Sequence, residues 1–183
     1  MATTDYTVLS DICGGIATAL ATALEVTPNG RPDKVITPHM PVYDDCCDFI
    51  GCSVARGDAT TAETWPDPVG RHTPKCFEWL YVETLQVSLR RPCKPILTPD
   101  KNNPFPSDAR ITVHGQELMI DYMVLRCDGP PLVESIVNGR QDLAFLNGEN
   151  RILPGPITPH SAGDCAGWNW QFRVEIGCNC DDV

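Results

Sequence analysis

Residues 76–91, CFEWLYVETLQVSLRR, limit the folds open to this chain more than any other stretch. Side chains alternate between the two faces of a strand. Here Phe77, Trp79, Tyr81, Leu85, Val87 and Leu89 fall on one face, interrupted by Glu83, while Leu80 and Val82 make part of the other face apolar as well. A strand apolar on both sides belongs in the middle of a sheet or beneath a helix. The rest of the chain must therefore supply flanking strands and helices to cover them.

It contains both. In residues 6–25, Val8, Ile12, Ile16, Leu20 and Leu24 recur every four positions with Ala19 and Ala23 beside them, the stripe of a core-facing helix. Gly14-Gly15 weakens that helix, and Pro28, Asn29-Gly30 and Pro32 end it. Residues 33–56 supply one or two short strands. Ser107 is placed to cap a helix over about 107–127, with Ile111, Leu118, Tyr122 and Leu125 on one face and Gly129-Pro130-Pro131 stopping it. A short helical turn follows at 132–138. Asn147-Gly148 suits the turn of a hairpin within 142–153. In residues 168–177, Trp170, Phe172, Val174 and Ile176 alternate with Asn169, Gln171, Arg173 and Glu175, which predicts a half-buried strand with one wet face. The expected fold is α+β, with one mixed or mostly antiparallel sheet flanked by helices. We read residues 1–183 as a single domain with loops at about 57–75, 92–106 and 154–167; 183 residues suit one domain.

The chain carries 24 Asp+Glu against 14 Lys+Arg, a net charge of −10, which argues against a protein that grips nucleic-acid phosphates. The opening MATTDYTVLSD lacks the basic region of a targeting signal, and no stretch reads as a membrane span. We therefore expect folding in a cytosol, where thiols stay reduced.

Residues 42–54, VYDDCCDFIGCSV, concentrate the residue types that carry chemistry. Zinc wants four ligands, commonly as two close pairs. Cys46, Cys47 and Cys52, with Cys178 and Cys180 near the other end, form such a set only if the two regions meet; the same cysteines could instead be bridged by disulfides. The bland reading is that Cys13, Cys52, Cys93 and Cys127 are small buried apolar residues. Asp44-Asp45 and Asp181-Asp182 lack the alternate-residue spacing of a calcium loop, so solvated carboxylates are the simpler reading. His39, His72, His114 and His160 sit in loop-like or helix-face positions, and no nucleophile elbow, phosphate loop or dinucleotide fingerprint occurs. We expect no enzyme, no cofactor, no metal and no catalytic residue.

Four segments, taken in order, resemble a group of small proteins from siphophages of actinobacteria. They are Pro41-Val42-Tyr43-Asp44-Asp45-Cys46-Cys47, Cys76-Phe77-Glu78-Trp79-Leu80, Leu89-Arg90-Arg91-Pro92-Cys93, and Gly163-Asp164-Cys165-Ala166-Gly167 leading into the last strand. The Asp-Asp-Cys-Cys run is the most specific piece. The chain departs from the pattern at 94–106 and 139–160, which are longer, and in its terminal Cys178-x-Cys180. The resemblance implies a tail-terminator-like fold and a part in the head-to-tail connector: a ring of six copies that caps the tail tube and meets the head-side connector. The implied partners are further copies of the chain, the major tail tube protein and the head-side connector or stopper protein. DNA would pass through the lumen without specific binding, and no membrane is involved. The implied location is the virion neck, after assembly in the host cytoplasm. A stopper or adaptor is the near rival, and an extracellular disulfide-rich or zinc-stabilised binder is the rival of another class.

A closed ring joins unlike faces of neighbouring copies, so each subunit needs two different complementary surfaces. Trp65, in the long polar loop, and Asp44 and Asp45 are candidate interface residues; a local staple on its own domain is the alternative role for Trp65. The acidic balance would let a lumen lined with carboxylates repel passing DNA.

Overall fold

The computed structural model describes residues 3–37, 48–60, 67, 80–92, 108–139, 152–162 and 165–177. Helix α1 spans Thr3–Ala23 and runs into a 3-10 turn at Leu24–Val26. Strands β1 (Lys34–Ile36), β2 (Phe49–Thr60) and β3 (Leu80–Pro92) follow. Helices α2 (Asp108–Cys127) and α3 (Gly129–Asn138) precede strands β4 (Ile152–Ala162) and β5 (Cys165–Gly177). The strands form one five-stranded sheet in the order β1-β2-β3-β5-β4, with β1 parallel to β2 and every other pair antiparallel. The fold is α+β with a mixed sheet.

The two-sided apolar segment is the central strand, β3, paired with β2 on one edge and β5 on the other. Its two faces differ. Leu85, Val87 and Leu89 lie in the core with Ile50 and Cys52 of β2 and Trp170, Phe172 and Val174 of β5. Ile12, Ile16, Leu20 and Leu24 from α1, Leu125 from α2 and Val133 and Val137 from α3 close the core from one side. The opposite face carries Thr84, Gln86, Ser88 and Arg90, and only Val82 there is buried and apolar. Among the described residues, helices cover one face of the sheet only.

Four sequence expectations change. Residues 154–167 are not a loop: β4 and the start of β5 occupy most of them, pairing Ile157 with Trp170 and Ala162 with Cys165. Pro154, Pro156 and Pro159 are tolerated because β4 is an edge strand, where a missing N–H breaks no ladder. Gly129-Pro130-Pro131 does end α2, but it also opens α3, since proline suits the first helical turn. A Cβ at Gly129 would lie 2.9 Å from the ring of Trp170, so the bare backbone lets that indole seat against the helix junction. Finally, Leu9–Val26 is long and apolar enough by composition to cross a membrane, with mean hydropathy 1.4, contrary to the first reading of the sequence. Its Ile12, Ile16, Leu20 and Leu24 are all buried against the sheet. Of the expected loops, 57–75 begins later, because β2 continues to Thr60, and 92–106 lies outside the described residues apart from Pro92. The hairpin turn at Asn147-Gly148 also lies outside them.

Candidate assembly surface

Arg91, from one of the motif segments, sits in a buried ion network. Arg91, 1% exposed, ends β3 among acids. Its Nε donates to Asp121 Oδ2 of α2 at 3.0 Å, its Nη1 to Asp48 Oδ1 at 2.9 Å, and its Nη2 to the carbonyl oxygen of Gly30 at 2.7 Å. Asn29 Nδ2 also donates to Asp121 Oδ2, at 2.9 Å. Asp121 is fully buried, and its Oδ1 has no hydrogen-bond donor within reach among the described residues. Asp48 adopts φ 84°, a left-handed conformation that aspartate tolerates better than most residues. Its backbone is pinned on both sides: its carbonyl oxygen accepts from Lys34 N at 3.2 Å, and its N–H donates to the Arg90 oxygen at 3.1 Å. One guanidinium thus ties α2, β3, the turn before β1 and the residue that follows Asp44–Cys47. A fork of five donors fits three acceptors converging on one point. Among the described residues, each carboxylate of the network faces a cation or an amide.

The open face of the sheet carries a second set of polar side chains. Gln171 Nε2 donates to Gln86 Oε1 at 2.9 Å, Ser88 Oγ to Asn169 Oδ1 at 3.2 Å, and Arg90 Nη2 to the same oxygen at 2.8 Å. Across the strands, Arg56, Thr84, Arg173 and Leu153 stand in one row. Bulges between Val54 and Arg56 in β2 and between Pro154 and Ile157 in β4 flank that row and bend both strands. The result is a cleft of about 470 Å³, walled by Leu153, Pro154 and Pro156 and lined by Arg56, Asp58 and Arg173. Arg56 is paired with Asp58 at 2.7 Å. His160, at the far end of this face, is held below the ordinary histidine value by partial burial and by Arg90.

A third surface is the outside of α2. Leu118, Tyr122 and Leu125 turn inward: the Tyr122 and Trp168 ring centroids are 5.0 Å apart, and Trp168 Nε1 donates to the Leu118 oxygen at 2.9 Å. The other side leaves Met119, Ile120 and Met123 exposed by 49%, 42% and 47%. Three large apolar side chains on adjacent turns, in water, form a patch of the kind that marks an interaction site.

Among the candidate residues, Trp65, Asp44, Asp45, Cys46, Cys47, Cys178 and Cys180 lie outside the described residues. Cys52 is fully buried in β2 with a free thiol, which fits the bland reading. It donates to Cys13 of α1; that hydrogen bond lowers the Cys13 thiol below its usual range and, with burial, raises Cys52 well above it. Cys127 is a free thiol too, but exposed, contrary to expectation, because it ends α2 on its outer side. Cys165 is disulfide-bonded, which the reduced-cytosol reading did not foresee. Glu83, the interruption in β3, is half-buried on the α1 side, and burial, then the Asp58 charge, raises its carboxyl. Among the described residues no group of three or more His, Cys, Asp or Glu side chains is placed to hold a metal ion.

The sequence reading missed the Arg91 network and the α2 patch. A signal existed for each: Asp121 interrupts the apolar face defined by Leu118, Tyr122 and Leu125, and Met119, Ile120 and Met123 form a second stripe on the same helix. No protein-family model, curated protein or solved structure matches this chain.

Proposed function

We propose that the chain is a structural subunit of a siphophage neck, the tail terminator, forming a six-copy ring that caps the tail tube and joins it to the head-side connector. The observation that carries the reading is a pair of unlike surfaces on opposite layers of one fold. One is the apolar outer stripe of α2, and the other is the bulged, charged cleft on the open sheet face. A heterologous ring requires two such surfaces. The Arg91 network supports the same reading. It gives Arg91, within the Leu89–Cys93 segment that carries part of the resemblance, a role in holding the end of the sheet. The partners are then other copies, the major tail tube protein and the head-side connector or stopper, with DNA passing through the lumen.

The experiment mixes purified chain with tail tubes that lack a cap and images their ends by electron microscopy. A ring at one end of each tube is expected, and bare tubes would refute the proposal. In the ring, a net basic lumen would overturn the idea that the −10 charge serves to repel DNA.

The Cys165 disulfide favours a second reading, an extracellular binding protein that works as a monomer. The free thiols of Cys13, Cys52 and Cys127 weigh against it. A chain that stays monomeric and ignores tail tubes would bring it forward.

A further inference from the structure

We propose that Cys13 and Cys52 are a latent disulfide site: a small-molecule disulfide such as oxidised glutathione converts the two thiols to a bridge that fastens α1 to β2. The proposal does not depend on the ring reading above. Cys13 lies on the buried stripe of α1 with Ile12, Ile16 and Ala17, and Cys52 points inward from β2 beside Ile50. Both are free thiols in the core, and the Cys52 thiol donates a hydrogen bond to the Cys13 sulfur. The helix comes this near because its sheet-facing side is small. A Cβ at Gly14 would lie 3.2 Å from the Thr37 methyl carbon, and Ala17 and Ala21 are fully buried. A bridge needs Cβ atoms about 3.5–4.5 Å apart. Thiols already in contact across a tight helix–sheet junction are a short step from that geometry.

The two sulfurs have different roles. The hydrogen bond from Cys52 stabilises negative charge on Cys13 and outweighs both burial and the Glu83 charge, which oppose it. Cys13 is therefore the attacking sulfur, since the thiolate is the nucleophile in exchange. It displaces one glutathione thiolate and forms a mixed disulfide with the other half. Cys52 then loses its proton to the displaced thiolate and attacks the Cys13 sulfur, releasing the second glutathione. One sulfur–sulfur bond forms in the protein and one breaks in the reagent; two protein thiols are oxidised and one glutathione disulfide is reduced to two thiols. Both sulfurs are shielded, so the first step proceeds before α1 docks during folding, or when α1 lifts from the sheet. The fold already accommodates oxidation elsewhere, at Cys165. The new bridge would close a segment of about 40 residues, a length at which a cross-link restricts the unfolded chain substantially.

The test uses the full-length wild-type chain with Cys13 and Cys52 as thiols. One sample stays folded in a buffer of oxidised and reduced glutathione, which lets bridges reshuffle to the stable set. A second is unfolded in urea and refolded in the same buffer. Remaining thiols are alkylated after denaturation, and unreduced peptides are mapped by mass spectrometry. A peptide pair linked through Cys13 and Cys52 should dominate in the refolded sample and accumulate more slowly in the folded one. The bridged chain should melt about 5 °C or more above the unbridged chain. Cys52→Ala should leave Cys13 as a stable mixed disulfide with glutathione; because that buried substitution can itself weaken the fold, the wild-type map decides. Recovery of Cys13 and Cys52 from both samples as thiols, as lasting mixed disulfides or bridged to other cysteines would overturn the proposal. So would a Cys13–Cys52 bridge that lowers the melting temperature.

Discussion

Replacing Arg91 by methionine tests how the end of the sheet is held. The residue is 1% exposed and its side chain supplies hydrogen bonds to Asp121, Asp48 and the Gly30 carbonyl. The consequences for the three acceptors differ. Asp48 is 20% exposed, so water can replace the lost partner at small cost. Asp121 is fully buried and, among the described residues, would keep only the Asn29 amide, which leaves a charge without a described counter-ion in the interior. Removing one member of a buried ion pair costs about 3–5 kcal/mol, against about 5–15 kcal/mol for the whole fold of a domain this size. Arg91→Met should therefore remove about a fifth or more of the stability while barely changing the apolar volume.

The assay is urea unfolding at neutral pH, followed by tryptophan fluorescence. Adding Asp121→Asn to Arg91→Met should recover roughly 2 kcal/mol, because the neutral amide needs no counter-ion. In an otherwise wild-type chain the same Asp121→Asn should be destabilising by about 1–3 kcal/mol, because it weakens a bond to a guanidinium. The sign reversal between the two backgrounds is the signature of the pair. An Arg91→Met loss under about 1 kcal/mol, or simple additivity in the double variant, would refute the reasoning.

Three further outcomes follow from the same geometry. Alkylation read by mass spectrometry should label Cys127 in the folded chain, Cys13 and Cys52 only after unfolding, and Cys165 only after reduction; labelling of Cys52 in the native state would contradict its place in the core. The Glu83 carboxyl is raised in the fold, so its protonation is linked to folding: that contribution is full below the ordinary carboxylate value and is lost as pH rises through the folded value. Glu83→Gln should then raise the melting temperature at pH 7 more than at about pH 4, and an equal shift at both would count against burial as the cause. At Asp48, with φ 84°, both Asp48→Ala and Asp48→Gly lose the bond to Arg91, but glycine also relieves the left-handed backbone, so the glycine variant should be the more stable of the two by about 1 kcal/mol in the same unfolding assay.

Period and punctuation made most of the elements legible. The apolar repeat from Ile12 to Leu24 and the alternation from Trp170 to Val174 report how each segment meets the core, and both recur in the buried set. The strand apolar on two sides did become the central one. What stayed hidden depends on pairing across long separations. Arg91 reaches Asp48 and Asp121 over 43 and 30 positions, and nothing local in the chain marks those partners. The proline-rich stretch Pro154–Pro159 reads as a loop by composition, because a strand at the edge of a sheet can do without the N–H groups that an inner strand needs. The second stripe of α2 was also masked by its first: once Leu118, Tyr122 and Leu125 define an inward face, Met119 and Met123 have no role until the helix is seen with its back to solvent.

The account depends above all on assembly through two unlike surfaces. The most direct measurement is the copy number of this chain at the end of a tail tube, counted by averaging electron micrographs of capped tubes. Six copies in one closed ring, each touching its neighbour through α2 on one side and the open sheet face on the other, is the predicted result. A single copy bound at the tube end, or a ring whose subunits meet through neither surface, would contradict it.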